Sequence, residues 1–304
     1  MAGAANGRVV IITGAGNGLG RAYALELAAQ GALVVVNDLG VGARGESGAS
    51  EGAAQKVVNE IRAGGGKAVA NADDVSDWDA GKRIVDTALA AFGDLHAVVN
   101  NAGFVRDRMF VSATPEEWDA VMQVHLRGHF CTTRHAVDYW RSKLKAGEPV
   151  DARIINTSSG AGLQGSIGQA AYSAAKAGIA ALTLVQAAEL GRYGVTANAL
   201  APNARTRMTD TAAFADAMRA KEGAFDIFDP ANMAPLVAWL VCEDSKDVTG
   251  QIFELRGGKI WLSQGWGDGP AFDKGAKLDA DEVGPIVRKL VAERTPAKPV
   301  YGTQ

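Results

Sequence analysis

The sequence has few of the features that mark exported or membrane-spanning proteins. Its 304 residues include two cysteines, Cys131 and Cys242. Two cysteines cannot build a disulfide scaffold, so we expect a protein of a reducing compartment. The apolar run near the N-terminus, Val9–Ile12, is too short for a signal-peptide core and far below the ~20 residues of a membrane span. These absences predict a cytoplasmic protein without a membrane span.

The chain also lacks a strong excess of one charge. It has 31 Lys and Arg against 34 Asp and Glu, a net charge of −3, which does not favour nucleic-acid binding through counterion release. Hydrophobic residues make up 47% and charged residues 21%, a composition that excludes a disordered chain. Glycine is abundant, with 37 residues, and the positions of these glycines indicate the first functional site.

Short apolar runs alternate with longer amphipathic stretches along the chain. The predicted strands are Arg8–Thr13, Ala32–Asn37, Lys67–Ala70, His96–Val99, Arg153–Thr157, Val195–Leu200 and Gln251–Leu255. The predicted helices are Leu19–Gln30, Glu51–Ala63, Asp77–Phe92, a long helix after the N-cap Thr114, Ala170–Leu190, Pro230 to about Val241, and Asp281–Glu293.

This alternation predicts an α/β fold: a doubly wound parallel sheet of the Rossmann type with helices on both faces. We expect a single dinucleotide-binding catalytic domain over residues 6–258. Residues 259–304 are expected to form a C-terminal extension that packs on this body or on a neighbouring subunit.

The first predicted strand leads into a glycine-rich turn, Thr13–Gly20. Gly14, Gly18 and Gly20 permit a tight turn and bring backbone N–H groups at a helix N-terminus close to a pyrophosphate. The turn follows a strand, opens a helix and lies near the N-terminus, as a dinucleotide-binding loop requires. An ordinary strand–helix turn is the simpler alternative.

An acidic residue, Asp38, follows the second predicted strand. A carboxylate at this place can accept hydrogen bonds from both hydroxyls of an adenosine ribose, and it would repel a 2′-phosphate. Leu39, rather than an arginine, comes next. The pattern predicts NAD rather than NADP, unless Asp38 only ends its strand.

A tyrosine and a lysine lie four residues apart on the alanine-rich helix. Tyr172 and Lys176 therefore share one helix face. An ammonium beside a phenol lowers the pKa of the phenol from about 10 and makes it usable as a general base. Ser159 follows a strand, where its hydroxyl can bond the same reacting oxygen. A Tyr–Lys pair alone occurs often by chance, but with Ser159 and the glycine loop it predicts a catalytic site.

These motifs resemble those of the short-chain dehydrogenase/reductase family. Four of them occur in the family's order and spacing: Thr13–Gly20, Asn100–Gly103, Ser159, and Tyr172 with Lys176. The resemblance implies an NAD-dependent oxidoreductase that acts on a secondary alcohol or ketone, with Ser159, Tyr172 and Lys176 as catalytic residues. The cofactor contacts that it implies are Gly14, Asn17, Gly18, Leu19, Gly20, Asp38, Asp74, Val75, Asn101, Ala102, Gly103, Tyr172, Lys176 and Pro202.

A narrower resemblance concerns the fourth catalytic position, where the family usually has asparagine and this chain has His125. The segments Val36–Gly40, Arg106–Arg108, Val124–Gly128 and Ala201–Ala204 are similar to the dehydrogenase part of multifunctional enzyme type 2 and its single-domain bacterial relatives. That subgroup shares the histidine, so we include His125 among the catalytic residues. The resemblance implies a 3-hydroxyacyl-CoA substrate with a fatty-acyl or steroid side-chain body.

Several alternatives stay open at this point. The chain could be a 3-oxoacyl-[acyl carrier protein] reductase, a hydroxysteroid dehydrogenase, or a nucleotide-binding sensor or scaffold without activity. His125 and His129 are four residues apart but lack a third ligand, so no metal site is predicted. The family resemblance also implies a homodimer or homotetramer with the helix Ala170–Leu190 at a subunit interface.

Overall fold

The structure, a computed structural model, describes residues 3–42, 44–46, 52–206, 218–221, 223–265, 267–278 and 280–303. Its strands are β1 (Val9–Thr13), β2 (Leu33–Asn37), β3 (Lys67–Asn71), β4 (Ala97–Asn100), β5 (Ala152–Thr157), β6 (Val195–Pro202), β7 (Ile252–Arg256) and β8 (Lys259–Leu262). Its α-helices are α1 (Gly18–Ala29), α2 (Ala53–Ala63), α3 (Trp78–Phe92), α4 (Pro115–Met122), α5 (Gly128–Lys145), α6 (Gly160–Gln164), α7 (Ala170–Leu190), α8 (Ala234–Val241) and α9 (Ala280–Glu293).

All eight strands form one sheet in the order β3-β2-β1-β4-β5-β6-β7-β8. The pairs from β3 to β7 are parallel, and only β8 runs antiparallel to its neighbour. The predicted doubly wound α/β fold is therefore confirmed. Each predicted strand and helix is present, and most ends are shifted by no more than two residues. The helix predicted from Pro230 starts with a 3₁₀ turn, Pro230–Met233, and becomes α-helical at Ala234. No helix among the described residues is long and apolar enough to cross a membrane.

Alternate residues of β1 pack into two hydrophobic layers, one on each face of the sheet. Val10 and Ile12 join the layer that α1, α2 and α8 cover, whereas Val9 and Ile11 join the layer that α3 and α5 cover. Both faces are buried, which explains why β1 is a continuous apolar run rather than an alternating one. The loops that follow the central strands meet at one edge of the sheet, where such folds bind ligands.

Two elements escaped the sequence analysis. β8 pairs with β7 from Phe253 opposite Leu262 to Arg256 opposite Lys259, so the sheet continues past residue 258. The hairpin turns at Gly257, whose φ of 55° is one that glycine adopts without strain. α6 is a short helix capped by Ser159. Both are too short for a periodic pattern to develop.

The helix that begins after Thr114 continues through α4 and α5 with a π-helical turn between them, Gln123–Arg127. The Thr114 hydroxyl accepts a hydrogen bond from the Glu117 N–H, and the Glu117 carboxylate accepts one from the Thr114 N–H. This capping box confirms the predicted N-terminus. Single π-helical turns occur often at functional sites, and this one contains the buried His125.

A buried polar network holds α5 and α7 against the centre of the sheet. The Asn100 amide on β4 donates to Thr133 on α5 and to Asn156 on β5, at 2.8 and 3.0 Å. The Asn156 amide in turn donates to Thr183 and Gln186 on α7, at 2.9 and 2.8 Å. The network fixes the helix that carries Tyr172 relative to β4 and β5.

A second set of hydrogen bonds joins the end of β1 to the end of β4. The Thr13 hydroxyl accepts from the backbone N–H groups of Asn101 and Ala102, at 3.0 and 3.1 Å. The Asn101 amide donates to the carbonyl oxygens of Thr13 and Gly14, at 3.0 and 3.1 Å. The glycine-rich loop and the segment after β4 are therefore one unit.

We expect Thr13→Val to lower the free energy of unfolding by about 1–3 kcal/mol, because it leaves the Asn101 and Ala102 N–H groups without their acceptor. Urea denaturation measures the change. Thr196→Val is the matched control, since the buried Thr196 hydroxyl has no partner among the described residues. Equal losses in the two variants would contradict the role given to Thr13.

Candidate active site

The glycine-rich loop between β1 and α1 is built so closely that side chains would not fit. Gly14 has a φ of 61°, and a β-carbon there would lie 2.7 Å from the Ala102 Cα. A β-carbon at Gly20 would lie 2.2 Å from the carbonyl oxygen of Gly14. The loop therefore keeps its backbone exposed to a ligand while it packs on the segment after β4.

A cleft opens beside this loop at the carboxyl edge of the sheet. Ten of the predicted cofactor contacts line it: Gly14, Asn17, Gly18, Leu19, Asp38, Asp74, Val75, Asn101, Ala102 and Gly103. Four predicted contacts lie outside this lining: Gly20, Tyr172, Lys176 and Pro202. Gly20 packs beneath the loop, and Pro202 ends β6 opposite Leu255, outside the lining of this cleft.

The polar groups of the cleft fit a dinucleotide. Asp38 accepts hydrogen bonds from the Gly16 and Gly40 N–H groups, each at 2.8 Å, through separate oxygens. A carboxylate has about four lone-pair sites, so Asp38 can still accept from two hydroxyl groups. The Asn17 amide nitrogen is buried without a partner among the described residues. It lies beside the α1 N-terminus, whose first turn contains no acidic side chain, so the site suits an anionic pyrophosphate.

The structure brings Ser159, Tyr172 and Lys176 together, although none of the three lines the nucleotide cleft itself. Ser159 caps α6 by accepting from the Ala161 N–H at 3.2 Å, and its hydroxyl is close enough to Tyr172 to lower the pKa of that phenol. The Lys176 amine is buried, 5.6 Å from the centre of the Tyr172 ring, and donates to the Thr157 carbonyl oxygen at 2.6 Å.

Burial decides how these groups titrate. It raises the pKa of Tyr172, and the nearby Ser159 hydroxyl offsets only part of this effect. Burial lowers the pKa of Lys176 to about 7. The expectation that Lys176 lowers the pKa of Tyr172 is therefore wrong for this structure. Removing the phenolate from water is the largest effect on Tyr172. The hydrogen bond of the Lys176 amine goes to a backbone carbonyl oxygen instead of the phenol.

His125 lies beside the predicted catalytic residue Tyr172, and its ring is neutral. It is fully buried, and its ring is perpendicular to that of Tyr172 with 5.2 Å between the centres. Its Nε2 is 2.6 Å from the Phe104 carbonyl oxygen, a contact that requires a proton on this nitrogen. Burial lowers the pKa of His125 to about 3. Its Nδ1 has no partner among the described residues.

The sequence analysis missed the residues that position Lys176. His129 was considered only as a metal ligand, yet its Nε2 accepts from the Thr157 N–H at 3.3 Å. The Thr157 carbonyl, on the other side of the same residue, holds the Lys176 amine. Burial lowers the pKa of His129 well below its usual value, so the ring is neutral and able to accept. The only sign of this role in the sequence was that His129 lies four residues after His125, on the same helix face.

The matched family agrees with this geometry. The family model described as short chain dehydrogenase matches residues 8–219, which is more than half of the chain. The chain belongs to this family. The predicted family and its oxidoreductase class are therefore confirmed.

Two relatives agree with the narrower resemblance. Hydroxyacyl-CoA dehydrogenase ChsB1 of Mycobacterium tuberculosis is 48% identical, and the match covers 84% of this chain and 80% of that protein. Peroxisomal multifunctional enzyme type 2 of Mus musculus is also 48% identical over 84% of this chain, but the match covers 32% of that enzyme. The chain thus spans about a third of the mouse enzyme.

Two crystal structures share the fold. A short chain dehydrogenase from Mycobacterium avium is 56% identical with a TM-score of 0.88, and the match covers 99% of this chain and 100% of that one. A short chain dehydrogenase from Mycobacterium paratuberculosis, crystallised bound to NAD, is 27% identical with a TM-score of 0.71. That match covers 84% of this chain and 98% of the other.

We expect Gly103→Ala to displace His125, since a β-carbon at residue 103 would lie 2.2 Å from the His125 Cε1. Overpacking of this kind lowers stability by about 1–3 kcal/mol, which chemical denaturation measures. Gly191→Ala is the control, because Gly191 has helical dihedral angles and nothing within 4 Å of its β position. A Gly103→Ala variant as stable as the control would show that the ring is not confined.

Proposed function

We propose that the protein is an NAD-dependent 3-hydroxyacyl-CoA dehydrogenase, which interconverts a 3-hydroxyacyl-CoA and the 3-oxoacyl-CoA. One observation carries this proposal: Ser159, Tyr172 and Lys176 meet beside a cleft that contains the glycine-rich loop and Asp38. The similarity to hydroxyacyl-CoA dehydrogenase ChsB1 supports the acyl-CoA substrate.

Different residues of the cleft would bind different parts of NAD. Asp38 would accept from the hydroxyls of the adenosine ribose, and the loop with the unpaired Asn17 amide would hold the pyrophosphate. When bound, the nicotinamide takes up or supplies a hydride. The NAD-bound structure of the Mycobacterium paratuberculosis relative supports this choice of cofactor.

In alcohol oxidation, Tyr172 in its phenolate form takes the proton of the substrate hydroxyl while the adjacent carbon loses a hydride. The Ser159 hydroxyl donates to the same substrate oxygen and stabilises its developing charge. Lys176, with a pKa of about 7, can both give and take a proton near neutral pH. We assign it the binding of the nicotinamide ribose, and the Thr157 carbonyl oxygen holds its amine in place while His129 bonds the Thr157 N–H.

The alternatives differ from this proposal in cofactor or substrate. A 3-oxoacyl-[acyl carrier protein] reductase that uses NADPH is disfavoured because Asp38 would repel a 2′-phosphate. A hydroxysteroid dehydrogenase would share the catalytic residues. NAD⁺ reduction with (3R)- and (3S)-hydroxyacyl-CoA esters, set against free hydroxysteroids, separates the two substrates.

We further infer a homodimer or homotetramer. α5 and α7 together present exposed apolar side chains, Phe130 from α5 and Leu184 and Val185 from α7, each between 45% and 50% exposed. Phe130 and Val185 line one shallow surface pocket. A second copy of the chain would cover this face.

Tyr172→Phe should reduce kcat for NAD⁺ reduction by about 10²-fold or more, because the variant lacks the group that accepts the substrate proton. NAD binding, followed by nicotinamide fluorescence or calorimetry, should persist because the aromatic ring remains. Tyr193→Phe, beyond the C-terminal end of α7, is the matched control. Rates close to wild type in Tyr172→Phe would refute the assignment.

The pH profile supplies an independent check of the same residue. Because burial raises the pKa of Tyr172 above its usual 10, its deprotonated form increases throughout the range from neutral to alkaline pH. kcat/KM for oxidation should therefore rise with pH, and kcat/KM for reduction should fall. A flat oxidation profile would contradict a tyrosine base.

Asp38→Ser should lower the preference for NAD over NADP by about tenfold or more, because the repulsion of a 2′-phosphate is removed. The ratio of kcat/KM with the two cofactors measures this preference. Asp86→Ser removes an equal charge from the surface of α3 and should not alter the ratio. Unchanged selectivity in Asp38→Ser would show that the carboxylate does not face the ribose.

A further inference from the structure

The chain after α9 returns to the edge of the sheet that carries the active site. Its terminal segment, Lys298–Gly302, lies against the loop that joins α6 to α7. The Tyr301 N–H donates to the Gly165 carbonyl oxygen at 3.2 Å, and the Ile167 N–H donates to the Tyr301 carbonyl oxygen at 2.9 Å. These two bonds form a short parallel β-bridge, so the segment is docked through its backbone.

The side chain of Tyr301 lies next to Ser159. A β-carbon at Gly160, the residue after Ser159, would be 2.6 Å from the Tyr301 hydroxyl oxygen and 3.0 Å from its Cε2. The ring therefore occupies the space beside the first turn of α6. Tyr301 is 41% exposed, so part of the ring is available for contact with a ligand.

Both ends of the terminal segment are fixed. Lys298 forms an ion pair with Glu254, a carboxylate on β7 that is only 5% exposed. A carboxylate buried to this extent requires a partner, so the pair holds Lys298 in place. Gly302 has a φ of 90°, which strains other residues, and its β position is only 3.3 Å from the Ile167 Cβ, so the backbone here packs closely on Ile167.

The loop that joins α6 to α7 immediately precedes the helix that carries Tyr172. This loop is also hydrogen-bonded to residues near Arg108. The Arg108 N–H donates to the Gly168 carbonyl oxygen at 2.7 Å, and the Gln169 amide donates to Asp107 at 2.9 Å. The nucleotide cleft, as far as the structure describes it, includes no residue of the terminal segment. The segment therefore borders the catalytic serine away from the nucleotide, where the remainder of a substrate must lie.

We propose that the terminal segment is a wall of the substrate site and that Tyr301 is a specificity-determining residue that limits the size of the acyl group beyond the reacting carbon. The proposal rests on the proposed 3-hydroxyacyl-CoA dehydrogenase function. The Tyr301 ring offers acyl carbon atoms an apolar face, and its rigid attachment to the loop keeps this face at a set distance from Ser159.

The test compares 3-hydroxybutyryl-CoA with 3-hydroxyhexadecanoyl-CoA as substrates of the full-length chain. Tyr301→Ala should shift the ratio of their kcat/KM values towards the longer ester by about tenfold or more, because one methylene contact in a pocket is worth at least that much. Tyr301→Phe keeps the ring and should keep the wild-type ratio. Lys298→Ala should shift the ratio in the same direction, since it releases the segment at its anchored end.

Two controls make the outcome decisive. Lys289→Ala, an exposed position on α9, should leave the ratio unchanged. Hydrogen exchange of the 165–169 and 298–303 peptides should show slow exchange in the wild type and faster exchange in Lys298→Ala. Fast exchange in the wild type would overturn the docking.

An unchanged ratio in Tyr301→Ala, with turnover of both esters by the wild type, would overturn the specificity role alone and leave the dehydrogenase function standing. Oxidation of neither ester by the wild type would overturn both proposals.

Discussion

The hydrogen bond from the buried Lys176 amine to the Thr157 carbonyl oxygen is the interaction on which the geometry of the proposed catalytic site depends. An ammonium in this interior is unfavourable unless it is hydrogen-bonded, so burial lowers the pKa of Lys176 while the carbonyl keeps the amine in place. The same bond ties α7 to the end of β5. Because Tyr172 lies one helical turn earlier on α7, this bond also positions Tyr172. His129 holds Thr157 by accepting a hydrogen bond from its N–H.

The nucleotide cleft depends on a different constraint, which is the close packing of the glycine-rich loop backbone against the segment after β4. Gly14 packs on Ala102 with no room for a β-carbon, and Thr13 accepts from the two N–H groups that follow β4. The loop therefore cannot move independently of the central sheet. Because Asp38 also bonds the Gly16 N–H, the acidic residue and the loop form a single rigid surface. Such a surface can bind a pyrophosphate and ribose hydroxyls without rearrangement of its side chains.

The proposed substrate side is assembled from segments that are distant in sequence. The loop before Tyr172 is bonded on one side by residues near Arg108 and on the other by Tyr301, close to the end of the chain. Folds of this type keep a constant nucleotide-binding frame and vary the segments around it. The terminal segment fits this division, since it contacts the loop that joins α6 to α7 and contributes nothing to the described lining of the nucleotide cleft.

Features that depend on near neighbours were predictable from the sequence. The strand–helix alternation, the capping box at Thr114, the glycine-rich turn and the shared helix face of Tyr172 and Lys176 all follow from spacing alone. The raised pKa of Tyr172, the π-helical turn at His125 and the docking of Tyr301 came only from the tertiary structure. Desolvation and long-range contacts depend on which distant segments pack together, and no local pattern encodes that. The sequence by itself determined which chemical groups are present and in what order, whereas packing decided their charge states and the walls around them.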